Sequence, residues 1–243
     1  MRIGATIEAR MASTRLPGKV MLPACGQPML ALMVERLRRA PSLDAIIIAT
    51  TEGADCDPIA ALAGRLGIGH WRGPEEDVLG RVLGAARAHG LDVIVELTGD
   101  CPLIDPALVE AAVAAWRAGG VDYVSNQLVQ TYPLGMAVQV FATDLLAEAA
   151  ARTDDPADRE HVSLYFYREP GRYRCLNLPA PPALTAPDLS VTLDTPQDLA
   201  VIRAVFEALY PADPAFDLAA IIAWLRANPA VAALNADVRR KAP

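Results

Sequence analysis

Lysine is almost missing from this chain. Of 22 basic residues only Lys19 and Lys241 are lysine; the rest are arginine. With 29 acidic residues, a net charge of −7 and a pI near 5.0, the chain has no general excess of positive charge. That argues against a protein that binds nucleic acid through its overall charge. Cysteine is also scarce: Cys25, Cys56, Cys101 and Cys175 are scattered without Cys-x-x-Cys spacing, which suggests neither a zinc site nor a disulfide scaffold. His70, His89 and His161 are equally dispersed, so any metal is expected on oxygen ligands. No apolar run approaches the roughly 18 residues that a membrane span requires. Glu8 and Arg10 interrupt the start where a signal peptide needs continuous apolar residues. The expectation is a cytoplasmic protein with neither nucleic acid nor membrane as partner. A Gly-x-Gly-x-x-Gly fingerprint is missing after the first apolar run, which speaks against a dinucleotide dehydrogenase.

Against that background the position of Lys19 is informative. It closes the stretch Arg10-Met-Ala-Ser-Thr-Arg-Leu-Pro-Gly-Lys19, between a strand-like run, Ile3–Ile7, and a helix-like run, Met29–Arg39. Arg10, Arg15 and Lys19 place three cations on one loop, and Ser13, Thr14 and the backbone N–H groups add neutral donors. In a chain of net negative charge this is a local site for a small anion. Lysine is a compact, movable charge and arginine a rigid fork, so the two act differently on a triphosphate. The bland alternative is a surface loop with solvated charges.

Strand-like and helix-like runs alternate through the first half: Ala45–Ala49, Asp57–Leu66, Gly67–Trp71, Glu76–His89, Val93–Leu97, Pro106–Arg117 and Asp122–Ser125. This rhythm predicts an α/β fold, a parallel sheet with helices on both faces. After Asn126 it changes. Strands are expected at Gly135–Phe141, Tyr173–Leu178 and Ser190–Leu193, with helices at Asp144–Ala151, Pro156–Tyr167, Pro196–Leu209 and from Leu218 onward. No repeat or linker divides the chain, so 1–243 reads as one domain, with 127–190 as an elaboration. Ligands on such sheets bind at the C-terminal strand ends. Chemistry is therefore expected after Ile7, Leu97, Val124 and Leu193.

Two aspartates stand at those ends without a structural task. Asp105-Pro106 is a helix start, with Asp as N-cap, which leaves Asp100 unassigned. Thr195 caps the helix that Pro196 opens, which leaves Asp194. Two spare carboxylates beside a cationic loop suit Mg²⁺, which prefers one or two carboxylates plus substrate phosphates; the alternative is that both accept backbone N–H bonds in turns. Asp77 and Arg81, spaced i, i+4, read either as a surface ion pair or as groups reaching a nucleotide base or ribose. Asp155 reads as a cap before Pro156, while Arg159, Glu160 and His161 could face an acceptor, framed by the Tyr132-Pro-Leu-Gly135 turn. A catalytic triad has no support, because His161 has no Ser or Cys nucleophile nearby to activate.

The stretch Ala9-Arg-Met-Ala-Ser-Thr-Arg-Leu-Pro-Gly-Lys19 with Gly26-Gln-Pro28 resembles the N-terminal signature of the cytidylyltransferases that make CMP-sugars. These are the acylneuraminate and 3-deoxy-manno-octulosonate enzymes and, more similar still, the spore-coat-polysaccharide branch. Arg72-Gly, Glu75–Leu79, Thr98–Asp105, Tyr123–Asn126, Thr131–Pro133, Arg159–Val162 and Leu193–Leu199 extend the resemblance to about residue 205. It implies a Rossmann-like three-layer α/β/α nucleotidyltransferase fold with a mostly parallel sheet, Mg²⁺ as cofactor, and transfer of CMP from CTP to a small acidic acceptor, a sugar or a relative of one. It also implies a homodimer, built partly from 127–190. On that pattern Arg15, Lys19 and Asp100 are catalytic. Ala9, Arg10, Met11, Ser13, Thr14, Asp77, Arg81, Thr98 and Gly99 join them around the nucleotide. Asn126, Tyr132, Gly135, Gln139, Glu160 and His161 line the acceptor side, and Asp100 and Asp194 hold the metal. One segment departs. The branch tends to read Tyr-Pro-Asp-Gly-Leu-Asp-Val-Glu-Val-Phe; here three of those acids are Leu134, Ala137 and Gln139. That change bears on the acceptor and leaves the triphosphate site alone. Two rivals remain: another base, such as GTP, on the same scaffold, and a non-catalytic nucleotide-binding regulator.

Overall fold

The computed structural model describes residues 1–169 and 171–239; Lys241 lies outside them. Its frame is a seven-stranded sheet. The strands are β1 (Ile3–Glu8), β4 (Ala45–Thr51), β5 (Gly69–Gly73), β6 (Val93–Thr98), β7 (Tyr123–Ser125), β8 (Gln139–Ala142) and β9 (Cys175–Asn177). Their order across the sheet is β5-β4-β1-β6-β8-β7-β9. All neighbours run parallel except at β8, which is antiparallel to both β6 and β7. A small hairpin, β2 (Pro23–Ala24) with β3 (Gln27–Pro28), stands apart.

The strands are near-continuous apolar runs because both faces are covered. On one face Ile3, Ala5, Ile7, Val93, Val95 and Leu97 pack against α1 (Met29–Leu37), α2 (Asp57–Leu66), α4 (Pro106–Arg117), α8 (Pro196–Leu209) and α9 (Leu218–Ala227). On the other, Ile47, Ala49, Ile94, Tyr123 and Phe141 meet α3 (Val78–Ala88), α5 (Thr143–Arg152) and α7 (Leu164–Tyr167). The result is the three-layer α/β/α arrangement with a mostly parallel sheet that the alternation predicts.

Several boundaries differ from the sequence reading. The helix expected from Glu76 begins at Val78, because Asp77 is its N-cap and accepts from the Gly80 N–H at 2.9 Å. The run Asp57–Leu66 is α2 as expected, with Cys56 at its N-cap position. The expected helix Pro156–Tyr167 is two short ones, α6 (Pro156–Glu160) and α7, broken where Val162 takes φ 38°. The expected strand Ser190–Leu193 makes only a single bridge, Leu134 to Ser190. Gly135–Phe141 pairs only from Gln139, because Leu134 and Gly135 lie against residues 189–192 while Met136 and Val138 bond to Asn126. Among the described residues no single helix is long and apolar enough to cross a membrane.

Candidate active site

The loop after β1 is tied down along its length. Ala9 N–H donates to the Ala49 carbonyl at 3.2 Å, Met11 N–H to the Cys56 sulfur at 3.4 Å, and Gly18 N–H back to the Met11 carbonyl at 2.9 Å. Gly18 closes the turn at φ 66°, a left-handed conformation suited to glycine. Ser13 Oγ accepts from the Leu16 N–H. Thr14 and Arg15 stay exposed, Ala9 is buried, and Arg10 reaches Glu75 at 3.3 Å.

Lys19 follows the turn and points at both spare aspartates. Its Nζ lies 3.1 Å from Asp100 Oδ2 and 2.7 Å from Asp194 Oδ1, and Arg15 adds a 3.1 Å contact to Asp194. Residues 81 and 175 positions apart in the chain thus meet at one nitrogen. The backbone enforces the meeting: Leu193 N–H donates to the Asp100 carbonyl at 2.7 Å. Asp194 is held from the other side by the reciprocal cap of α8, where Asp198 accepts from the Asp194 and Thr195 N–H groups. Thr98 donates its hydroxyl to Asp100. Gly99 lies so close to the Glu8 carbonyl that a Cβ there would approach it to 2.9 Å.

The electrostatics agree with this geometry. Burial pushes Asp100 up, but the Lys19 charge and the Thr98 and Lys19 hydrogen bonds outweigh it and hold the carboxyl below its ordinary value. Burial pulls Lys19 down, and the two aspartates overcome it and hold the ammonium above its usual value. Asp100 therefore faces the Lys19 ammonium as an anion, and Asp194 lies against the same nitrogen. Oxygen donors from two segments, focused on one positively charged point and half-open to solvent, fit a divalent ion such as Mg²⁺ when phosphates complete the shell. Among the described residues no cluster of three or more His, Cys, Asp or Glu could hold a metal alone.

Other predicted site residues sit differently. Arg81 is 2% exposed and its guanidinium donates to the Pro74 and Glu75 carbonyls. Of the two readings of Arg81, the surface ion pair with Asp77 gives way to these bonds, because α3 packs the Arg81 Cγ against Gly73 and turns the side chain away from solvent. Asp77 caps α3 and receives Arg159 at 3.4 Å. Asn126 is 5% exposed and fully engaged: its amide donates to the Met136 carbonyl at 2.7 Å and accepts the Val138 N–H at 2.9 Å. Tyr132 belongs to the core. Gly135, at φ 98°, lies against Val191 and Thr192, where a Cβ would come within 2.5 Å of the Thr192 nitrogen. All three are buried and taken up by contacts within the fold. Glu160 is exposed and His161 half-buried.

Gln139 is buried, and it leads to residues that the sequence reading passed over. Its amide donates to Glu96, 2% exposed on β6, and Glu96 is hydrogen-bonded to Glu8 at the end of β1. The available signal was a glutamate inside Val93-Ile-Val-Glu-Leu97, a run otherwise buried on both faces. Cys56 also escaped notice; it receives both the Met11 N–H and the Thr51 hydroxyl, and so anchors the cationic loop.

Comparison with known proteins bears on the same region. The cytidylyltransferase family model matches residues 5–211. The spore coat polysaccharide biosynthesis protein SpsF of Bacillus subtilis is 34% identical over 83% of this chain and 85% of its own length. The 3-deoxy-manno-octulosonate cytidylyltransferase of an Anaeromyxobacter strain is 35% identical over 71% of this chain and 65% of its own. A solved cytidylyltransferase from Leptospira borgpetersenii superposes with a TM-score of 0.90, at 28% identity, over the whole of both chains.

Proposed function

The chain belongs to the cytidylyltransferase family, a class of nucleotidyltransferase enzymes, and from that premise we propose that it transfers CMP from CTP to an acidic sugar or a related small acceptor and releases pyrophosphate. The observation that carries this reading is the meeting of Lys19 and Arg15 with Asp100 and Asp194 at the C-terminal edge of the sheet. Cations on one loop suit a triphosphate, and paired carboxylates suit its metal.

The reaction is an in-line displacement: an acceptor oxygen bonds to the α-phosphorus while the bond to the bridging oxygen breaks. Such chemistry rests on positioning and on stabilising charge. Arg15 and Lys19 neutralise the departing pyrophosphate. Arg10, Ser13 and Thr14, with the loop backbone from Ala9 to Met11 and Thr98–Gly99, orient the nucleotide. Asp100 and Asp194 would hold Mg²⁺, which would supply Lewis-acid stabilisation of phosphate charge and ease loss of the acceptor's hydroxyl proton. Residues 127–190 form the acceptor side, with Glu160 and His161 at its rim. They also supply the contact of a homodimer, which sedimentation equilibrium tests.

Thermal shifts with CTP, GTP, UTP and ATP in the presence of Mg²⁺ test the base, since a ligand at 100 times its Kd adds about 2.7 kcal/mol. We expect CTP alone to stabilise strongly. Pyrophosphate release from CTP and Mg²⁺ with a panel of sugar acids tests the transfer; stabilisation by CTP without release from any of them would favour a regulator.

A further inference from the structure

The two faces of β1 and β6 differ at their cleft ends. Ile7 and Leu97 enter the larger core, whereas Thr6, Glu8, Glu96 and Thr98 share the opposite face in register. On the neighbouring strand Gln139 stands directly opposite Glu96. The hydroxyls of Tyr123 and Ser163 both donate to the Gln139 carbonyl, which forces its NH₂ toward Glu96. Tyr123 is 0% and Ser163 1% exposed, so neither side chain has water as an alternative partner. The chain of bonds ends at Glu8, which is half-buried at the last position of β1, next to the loop that carries Lys19.

Two carboxyl groups in contact do not both ionise readily. Burial, then the charge of Glu8, lift Glu96 well above the ordinary carboxylate range. Of the two, Glu96 is the one whose surroundings favour the proton, and a protonated Glu96 can donate to Glu8. Burial raises Glu8 too, opposed by the Glu96 bond and by Arg81 on α3; Asp100 after β6 and His161 after α6 are the other charges that act on it. The outcome is one carboxylate, oriented from behind by an ordered series of donors, at the cleft edge of the acceptor side.

We propose that Glu8, held by Glu96 and Gln139, is a specificity-determining residue: its carboxylate receives a hydrogen-bond donor of the acceptor, a hydroxyl or an ammonium group. This rests on the CMP-transfer reading above. An acidic group of the acceptor placed at this point would meet Glu8 and Asp100 as like charges, so the acid end of the acceptor is directed elsewhere and a donor-bearing carbon faces β1. Gln139 is neutral, yet an acid remains beside it on the neighbouring strands. The acidic character is carried on β1 and β6.

The test uses 3-deoxy-manno-octulosonate and its single-position deoxy and amino analogues, each with CTP and Mg²⁺, read as pyrophosphate. In the wild-type protein, removing one particular hydroxyl should lower kcat/KM by about 10- to 100-fold, the loss expected for a hydrogen bond to a charged group; the amino analogue at that position separates a hydroxyl from an ammonium preference. Glu8→Gln should erase most of that discrimination, while its CTP-induced thermal shift stays as in wild type. Glu96→Gln, which can still donate to Glu8 and accept from Gln139, should retain it. Equal losses for every analogue in Glu8→Gln would overturn the proposal and leave the transfer reading intact. If the wild-type protein turns over none of these acceptors, the sugar-acid reading fails and this inference with it. Carbon-13 NMR of labelled glutamate carboxyls in the free protein adds a readout apart from turnover. Glu8 and Glu96 should titrate above the ordinary range and as a coupled pair; two independent titrations near the ordinary value would refute the shared proton.

Discussion

Lys19 stands where two carboxylates converge, so in the free protein its ammonium supplies the positive charge between them. Side-chain exposures of 16% for Lys19, 26% for Asp100 and 17% for Asp194 make this a partly desolvated cluster, more than a surface ion pair. Lys19→Met should cost about 2 kcal/mol at neutral pH in EDTA, through two anions left without their partner. The sign of its pH dependence follows from Asp100. Lys19 helps hold that carboxyl below its unfolded value, so the stabilisation is present above the unfolded pKa and is lost as pH falls through the folded one. The gap in melting temperature between wild type and Lys19→Met should therefore hold from pH 7 to pH 4 and narrow only as pH falls below the ordinary aspartate value of 3.8. Millimolar Mn²⁺ should raise the melting temperature of the variant more than that of the wild type, because the ion no longer competes with an ammonium. Equal metal responses would show that Lys19 does not occupy the metal position.

At the scale of elements, the sheet and the wall built by residues 132–138 make opposite demands. Glu96 sits in the middle of the sheet with a carboxyl raised above its unfolded value, so its pH signature is the reverse of that of Asp100. The folded state binds the proton more tightly than the unfolded one, and stability falls as pH rises from the unfolded pKa toward the folded one. Glu96→Gln removes that penalty and keeps both hydrogen bonds. It should melt higher than wild type at pH 8, by a margin that shrinks toward pH 4, in parallel scans. The wall depends on close approach. With its missing side chain, Gly135 lets the chain lie on Val191 and Thr192, and alanine there combines a left-handed φ of 98° with a backbone clash. Gly135→Ala should cost about 1–3 kcal/mol in urea unfolding, with Asn126, which binds Met136 and Val138, taking up part of the distortion. These elements also show what the sequence could convey. Strand-helix alternation, caps such as Asp105 and Thr195, and the spare aspartates were legible because each is a local pattern. The meeting of Asp100 with Asp194 was legible only as a coincidence of strand ends. The inward turn of Arg81, the split at Val162 and the Glu8–Glu96 contact were not, because each depends on which neighbour the sheet order supplies. Strand order between β6, β8 and β7 has no signature in any one strand.

Across the whole molecule, the family match ends at residue 211, yet the chain beyond it is built into the same core. Phe216, Leu218, Ile221 and Leu225 are buried against the face that carries α1, α4 and α8. The junction is polar and specific. Asp105 accepts the Ala107 N–H at 2.8 Å as the cap of α4, and its other oxygen accepts the Leu218 N–H at 2.6 Å at the start of α9. One carboxylate thus serves two helix N-termini, where an anion is favoured. Arg36 lies beside it, 2% exposed, with its guanidinium 4.4 Å over the Phe216 ring and its Nε donating to the Ile104 carbonyl. Burial, against the pull of Asp105, lowers that guanidinium to about 10. Asp105 follows Asp100 by a short turn, so the docking of the C-terminal helices bears on the segment that carries the carboxylate proposed to hold the metal. Asp105→Ala should lose a cap, leave the Leu218 N–H without its acceptor and remove an anion from beside Arg36. The expected cost is about 2–4 kcal/mol in chemical denaturation. Limited proteolysis should cut first near residues 210–217 in this variant, and the same cut should slow when CTP and Mg²⁺ are added. Protection by the nucleotide would show that the tail and the cleft share one cooperative unit. Cleavage at the same rate with and without nucleotide would make the tail an independent attachment to the sheet.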